Sequence, residues 1–137
     1  MLHAIQLENI LFLDIETVPE LENFSELDQD FQELFAHKTQ YQRKDEFTPE
    51  EFYERAGIWA EFGKIICISV GYFTQKNGER QFRVTTFQGD EERLLNEFSN
   101  LINNHFNLPQ HVMCGHNVKE FDFPFIARRM LIHGLKI

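Results

Sequence analysis

The chain has 137 residues, 42% of them hydrophobic and 15 of them Phe, which is enough for the core of one ordinary domain and too little for two. Its 13 Lys and Arg stand against 22 Asp and Glu, a formal charge of -9, and that balance argues against a broad basic face for nucleic acid while leaving room for one locally met phosphate. No apolar run approaches the ~18 residues of a membrane span, the start MLHAIQLEN has no basic n-region or cleavage site, and two lone cysteines, Cys67 and Cys114, exclude a disulfide scaffold, disfavour zinc and suit a reducing cytoplasm.

Residues 10 to 16 read as a buried strand, a short run of Ile, Leu and Phe closed by Pro19. Residues 20 to 63 read as a helical insertion that starts acidic and polar. Within it Phe24, Leu27, Phe31, Leu34 and Phe35 recur at helical steps, which predicts a helix over about 25–37, and KTQYQRKDE reads as a surface loop. TPEEFYERAGIWAEFG predicts a helix: Thr48 caps it, Pro49 takes the first position, Glu51 completes a capping box, and Gly63 ends it. Phe52, Ala56, Trp59 and Ala60 line one face. Strands follow at 64–73 and 81–88, joined through the hairpin turn Asn77-Gly78.

GDEERLLNEFSNLINNHF predicts an amphipathic helix with Leu94, Leu95, Phe98, Leu101, Ile102 and His105 on or near its buried face, and with Asp90, Glu91 and Glu92 at its N-terminus, where the helix dipole favours acids. HVMCGHN is a short strand entering a turn. FPFIARRMLIHG is the last helix, opened by Pro124 and ended by Gly134. A strand–helix–strand step implies a parallel neighbour and a tight turn an antiparallel one, so the sum is a mixed sheet with packed helices.

Asp14 and Glu16 lie two apart on the first strand, so they share one face, roughly 6–7 Å apart along the backbone, while Ile15 points the other way. Two carboxylates on one face repel unless water or a cation relieves them. Hard divalent ions such as Mg2+ or Mn2+ favour carboxylate oxygen; a strand that simply ends in water would serve as well, and on Asp-x-Glu alone that plainer reading is preferred. Asn117 and Asp122 bracket the turn into the last helix, where each has a local role open to it, Asp122 as a helix cap and Asn117 as a turn residue. If the strand at 111–116 lies parallel to the first, however, both end at the same sheet edge, where open α/β sheets hold ligands. Asp122 then faces Asp14 and Glu16.

These segments carry a resemblance. FLDIETVP resembles the first motif (Asp-x-Glu), and HNVKEFDFPFIARR the second (Asn-x-x-x-Phe-Asp), of the DEDD superfamily of 3'–5' exonucleases with a ribonuclease H-like fold. EFGKIICISVGYF and GDEERLLNEFSNLI look like the segments between those motifs, and the whole is most similar to the exonuclease domain of family-B DNA polymerases and its stand-alone relatives. The resemblance implies an α/β, ribonuclease H-like mixed sheet and a two-metal site for Mg2+ or Mn2+. Asp14 would bridge both ions, Glu16 would hold the one that activates water, and Asp122 would hold the second through water. Thr17, Val18, Asn117 and Phe121 would position a single-stranded nucleic-acid 3' end, DNA in preference to RNA; Phe121 serves equally as core. Lys119, beside the site, reads as a substrate contact.

The family also implies a fourth acid in a third motif, Tyr-x-x-x-Asp or His-x-x-x-x-Asp, and no Asp or Glu follows Asp122 up to Ile137. The expectation is therefore a single domain, 1–137, truncated from a longer enzyme and inactive or nearly so by itself. The rival is a nuclease-like module that binds a nucleic-acid end or a protein partner without catalysis. His3, His37, His105, His111, His116 and His133 fit no zinc spacing, and Arg128 and Arg129 read as a solvated helix face.

Overall fold

A computed structural model describes residues 5–136. His3 and the first residues of the N-terminal segment lie outside them. The described residues fall into two compact units, one of residues 5–16 and 65–136, the other Thr17–Lys64.

The first unit is built on a four-stranded sheet of order β3-β2-β1-β4. β1 is Ile10–Pro19, β2 Gly63–Lys76, β3 Glu79–Gln88 and β4 Val112–Cys114. β2 and β3 form the expected antiparallel hairpin, Phe73 opposite Phe82 and Gly71 opposite Val84. Its turn puts Asn77 and Gly78 at φ 53° and 80°, the left-handed pair that this hairpin type demands. β4 pairs parallel to β1, Ile10 with Val112 and Phe12 with Cys114. A parallel pair needs a crossover, and α3 (Glu91–His105) lies within it. Leu11, Leu13 and Ile15 of β1 are buried with Ile65, Ile68 and Val70 of β2, Leu94, Leu95 and Phe98 of α3, and Phe125, Ile126 and Met130 of α4 (Phe123–Ile132). Alternation therefore gives Phe12, Asp14 and Glu16 the opposite face. There Phe12 packs edge-on against Phe73 and Phe82, with ring centroids 6.1 and 5.9 Å away.

Two expectations fail in this unit. His105 is exposed: the buried stripe of α3 is Leu94, Leu95 and Phe98, with Leu101 and Ile102 only half-buried. Arg129 does not sit on a solvated face; it is 1% exposed and its guanidinium meets the Glu91 carboxylate, so an ion pair replaces hydration. Arg128 is exposed.

The second unit departs further. β1 continues past Glu16 to Pro19. A 3-10 turn at Phe24–Glu26 precedes α1, which runs Gln29–Arg43 through residues expected as a loop. Asp28 caps α1 by accepting from the Phe31 amide at 2.8 Å. Arg43 holds its last turns together, donating to Thr39 Oγ1 at 2.9 Å and to the Ala36 carbonyl at 2.6 Å. Lys44 then turns left-handed at φ 51° and ends it. Leu34 is 58% exposed, so the buried line in α1 is Phe35 and Thr39.

The capping box at Thr48 and Glu51 forms as expected, but the helix it opens does not last. α2 is Pro49–Phe52, and a 3-10 helix continues it over Tyr53–Ile58. The Gly57 carbonyl accepts from Thr17 Oγ1 at 2.7 Å. A Cβ on Gly57 would lie 3.0 Å from the Val18 carbonyl carbon, so the chain there also sits close against β1. Gly63 ends no helix; it is the first residue of β2. Phe24, Phe35, Phe52, Tyr53, Ala56 and Phe62 form this unit's core, with Leu27 and Trp59 against it. The Phe35 ring is central, 5.2 Å from Phe62 and 5.4 Å from Tyr53, both edge-on.

Candidate active site

The strand pattern carries Asp14 and Glu16 outward. Both are exposed, on either side of buried Ile15. Their two charges are thus relieved by water, and the electrostatic cost of the site falls on the third acid instead. Asp122 is 4% exposed.

Its position comes from an irregular turn. Asn117 adopts φ 56° and ψ 28°, a left-handed conformation that Asn tolerates better than most residues, and its carbonyl accepts from the Phe121 amide at 2.9 Å. A π-helical turn follows over Val118–Asp122, closed by the Phe123 amide on the Val118 carbonyl. Such a turn carries one extra residue and re-aims the side chain at its end, a device often met at functional sites. Asp122 makes no capping bond to α4, although it stands at the N-cap position. Its Oδ2 accepts from the amide of Ile15 at 3.1 Å, across 107 residues of sequence. The role as a local helix cap is therefore replaced by a tertiary contact to the residue between Asp14 and Glu16.

Burial pushes the Asp122 carboxyl above the usual aspartate range; the Ile15 amide opposes this, and the nearby Asp14 charge adds to it. Asp14 and Asp122 are thus within electrostatic reach at one sheet edge. Among the described residues no group of three or more His, Cys, Asp or Glu is close enough to hold a metal ion as it stands. The donor chemistry still fits a hard cation: two exposed carboxylates beside a buried one whose ionisation is disfavoured.

Close approach of backbones makes the contact possible. A Cβ on Gly115 would lie 2.4 Å from the carbonyl oxygen of Leu13, the residue before Asp14. The chain leaving β4 therefore passes flush against β1 before it enters the turn. The other expected residues are placed less directly. Asn117 and Lys119 are exposed on the turn. Phe121 is half-buried, its ring 5.4 Å from that of Phe125, so it packs as well as lines. In the second unit, Thr17 has its hydroxyl engaged by Gly57 and Val18 is half-buried.

The family model of the exonuclease domain of DNA polymerase family B matches residues 9–136. The chain belongs to this family. The match spans the mixed sheet and every acid named above, and the mixed four-stranded sheet with flanking helices is consistent with a ribonuclease H-like exonuclease fold. No curated protein and no solved structure matches the chain. As an exonuclease domain it is in general terms a nuclease, a hydrolase whose substrate is nucleic acid. Among the described residues of this exonuclease domain no helix is long and apolar enough to cross a membrane.

The sequence pattern placed Asp14 and Glu16 on one face of β1 and Asp122 at the turn into α4, and it missed two neighbouring features. One is Gly115, whose only signal was a glycine between a strand and Asn117. The other is the buried Glu91, which looked like an ordinary first-turn acid.

Proposed function

We propose that this exonuclease domain removes nucleotides from the 3' end of a single-stranded nucleic acid, DNA in preference to RNA, with two divalent ions, Mg2+ or Mn2+. The observation that carries the reading is the hydrogen bond from the Ile15 amide to Asp122 Oδ2. It brings a buried carboxylate from a distant segment to the backbone between Asp14 and Glu16, which supports one site for all three.

Asp14, Glu16 and Asp122 would hold the ions. Bound there, such ions would stabilise the attacking and leaving oxygens of a phosphodiester and lower the pKa of a water. The protein's own contribution is orientation. Asp122, fixed by the Ile15 amide, presents its carboxylate without a search through rotamers, and its buried setting strengthens electrostatic contacts made at that point. Asn117 and Lys119 stand exposed on the turn to meet the strand, Lys119 offering an ammonium to a phosphate in a chain of charge -9. Phe121 supplies a half-buried ring edge. The two free cysteines, Cys67 and Cys114, suit a reducing cytoplasm.

The test is an assay of 5'-labelled single-stranded DNA and RNA with Mg2+ or Mn2+. Stepwise shortening from the 3' end is expected, abolished in Asp14→Ala while substrate binding persists. Unchanged turnover in that variant would refute the site.

A further inference from the structure

One buried carboxylate outside the site ties three elements together. Glu91, in the first turn of α3, accepts from Arg129 Nε at 3.0 Å and from Arg129 Nη2 at 2.6 Å. It also lies 2.6 Å from His133 Nε2 and takes the Ile65 amide, at the start of β2, at 2.6 Å. Arg129 and His133 both belong to the C-terminal half of the segment that Asp122 begins. Ion pairs of this kind seldom out-stabilise apolar packing of similar volume, so their stability does not account for them. What a two-pronged Arg–carboxylate contact does supply is a fixed orientation.

We propose that Glu91, Arg129 and His133 are positioning residues for Asp122: they clamp α4 to α3 and β2 and so hold the carboxylate at its upstream end against Ile15. The clamp acts through a rigid lever. Arg129 is seven residues beyond Asp122, about two helical turns or ~10 Å. Over that length a tilt of roughly 6° moves the Asp122 end by about 1 Å, which is the scale of misplacement that costs a catalytic site about a hundredfold. The inference rests on the reading of Asp122 as a site residue, and its test separates the two.

The test is amide hydrogen exchange followed by NMR in the metal-free protein, with Ile15 as reporter and Ile68, in the centre of β2, as reference. Two variants are used: Glu91→Gln with Arg129→Met, which removes both charges and leaves the Gln side-chain carbonyl to accept from the Ile65 amide, and His133→Ala, which leaves the pair intact. Loss of the clamp is expected to speed exchange at Ile15 by about tenfold or more relative to Ile68 in the double variant, and by less in His133→Ala, because local opening is read residue by residue. Restoring a donor with His133→Gln should return protection. Equal changes at Ile15 and Ile68, or none at either, overturn the positioning role. An Ile15 amide that is already unprotected in the parent protein overturns instead the Asp122 contact, and with it the site reading.

Discussion

Gly115→Ala is the smallest change that should disturb the site without touching any of its acids. The added Cβ would stand 2.4 Å from the Leu13 carbonyl oxygen. Carbon–oxygen contacts settle at about 3.3 Å or more, so the strands must separate by roughly 0.9 Å. Neither side can yield by rotating a side chain, because the obstacle is backbone. Overpacking of this kind costs about 1–3 kcal/mol, and at about 3–4 °C per kcal/mol for a domain of this size the midpoint should fall by roughly 3–12 °C. The displacement lies between Leu13 and the turn that delivers Asp122, so a shift near 1 Å should reduce turnover by about a hundredfold. Thermal unfolding followed by circular dichroism gives the first quantity and single-turnover hydrolysis the second. An alanine variant that melts within about 1 °C of the parent and turns over normally would show that the close approach does not shape the site.

Asp122→Asn should abolish hydrolysis and yet stabilise the metal-free protein near neutral pH. The folded carboxyl titrates above its unfolded value, so the native state loses stability as pH rises through the interval between the two, and the amide escapes that loss while still accepting from Ile15; a lower midpoint at neutral pH would contradict this. Glu91 works in the opposite sense. Burial alone would push its pKa up, but Arg129, the Ile65 amide and His133 together hold it below the usual glutamate range, so its contribution is complete above that range and disappears as pH falls through the depressed value; an acid-unfolding curve insensitive to Glu91→Gln would refute the assignment. Phe35→Ala should cost about 3–5 kcal/mol by opening a cavity among Phe24, Tyr53, Trp59 and Phe62, read as a lowered midpoint in denaturant; a cost below about 1 kcal/mol would mean that the cluster collapses to fill the space.

What the amino-acid order determined by itself were features encoded by near neighbours. Period-two alternation placed Asp14 and Glu16 on one face around Ile15. Asn77-Gly78 set the hairpin because its turn needs left-handed residues. Thr48 and Glu51 closed a box across three positions. The two acidic motifs, read together, pointed to the exonuclease family that the whole-chain match then showed. What only the tertiary structure decided were outcomes set by partners far along the chain. Thr17, 40 residues away, takes the Gly57 carbonyl where a helix was expected. Glu91, 38 residues from Arg129, turns an arginine expected in water into a buried one. Ile15, 107 residues from Asp122, claims a carboxylate that local pattern assigned to a helix cap. In each case the deciding partner lies tens of residues away, beyond the reach of any pattern of near neighbours, and only folding brings the two polar groups within hydrogen-bond distance.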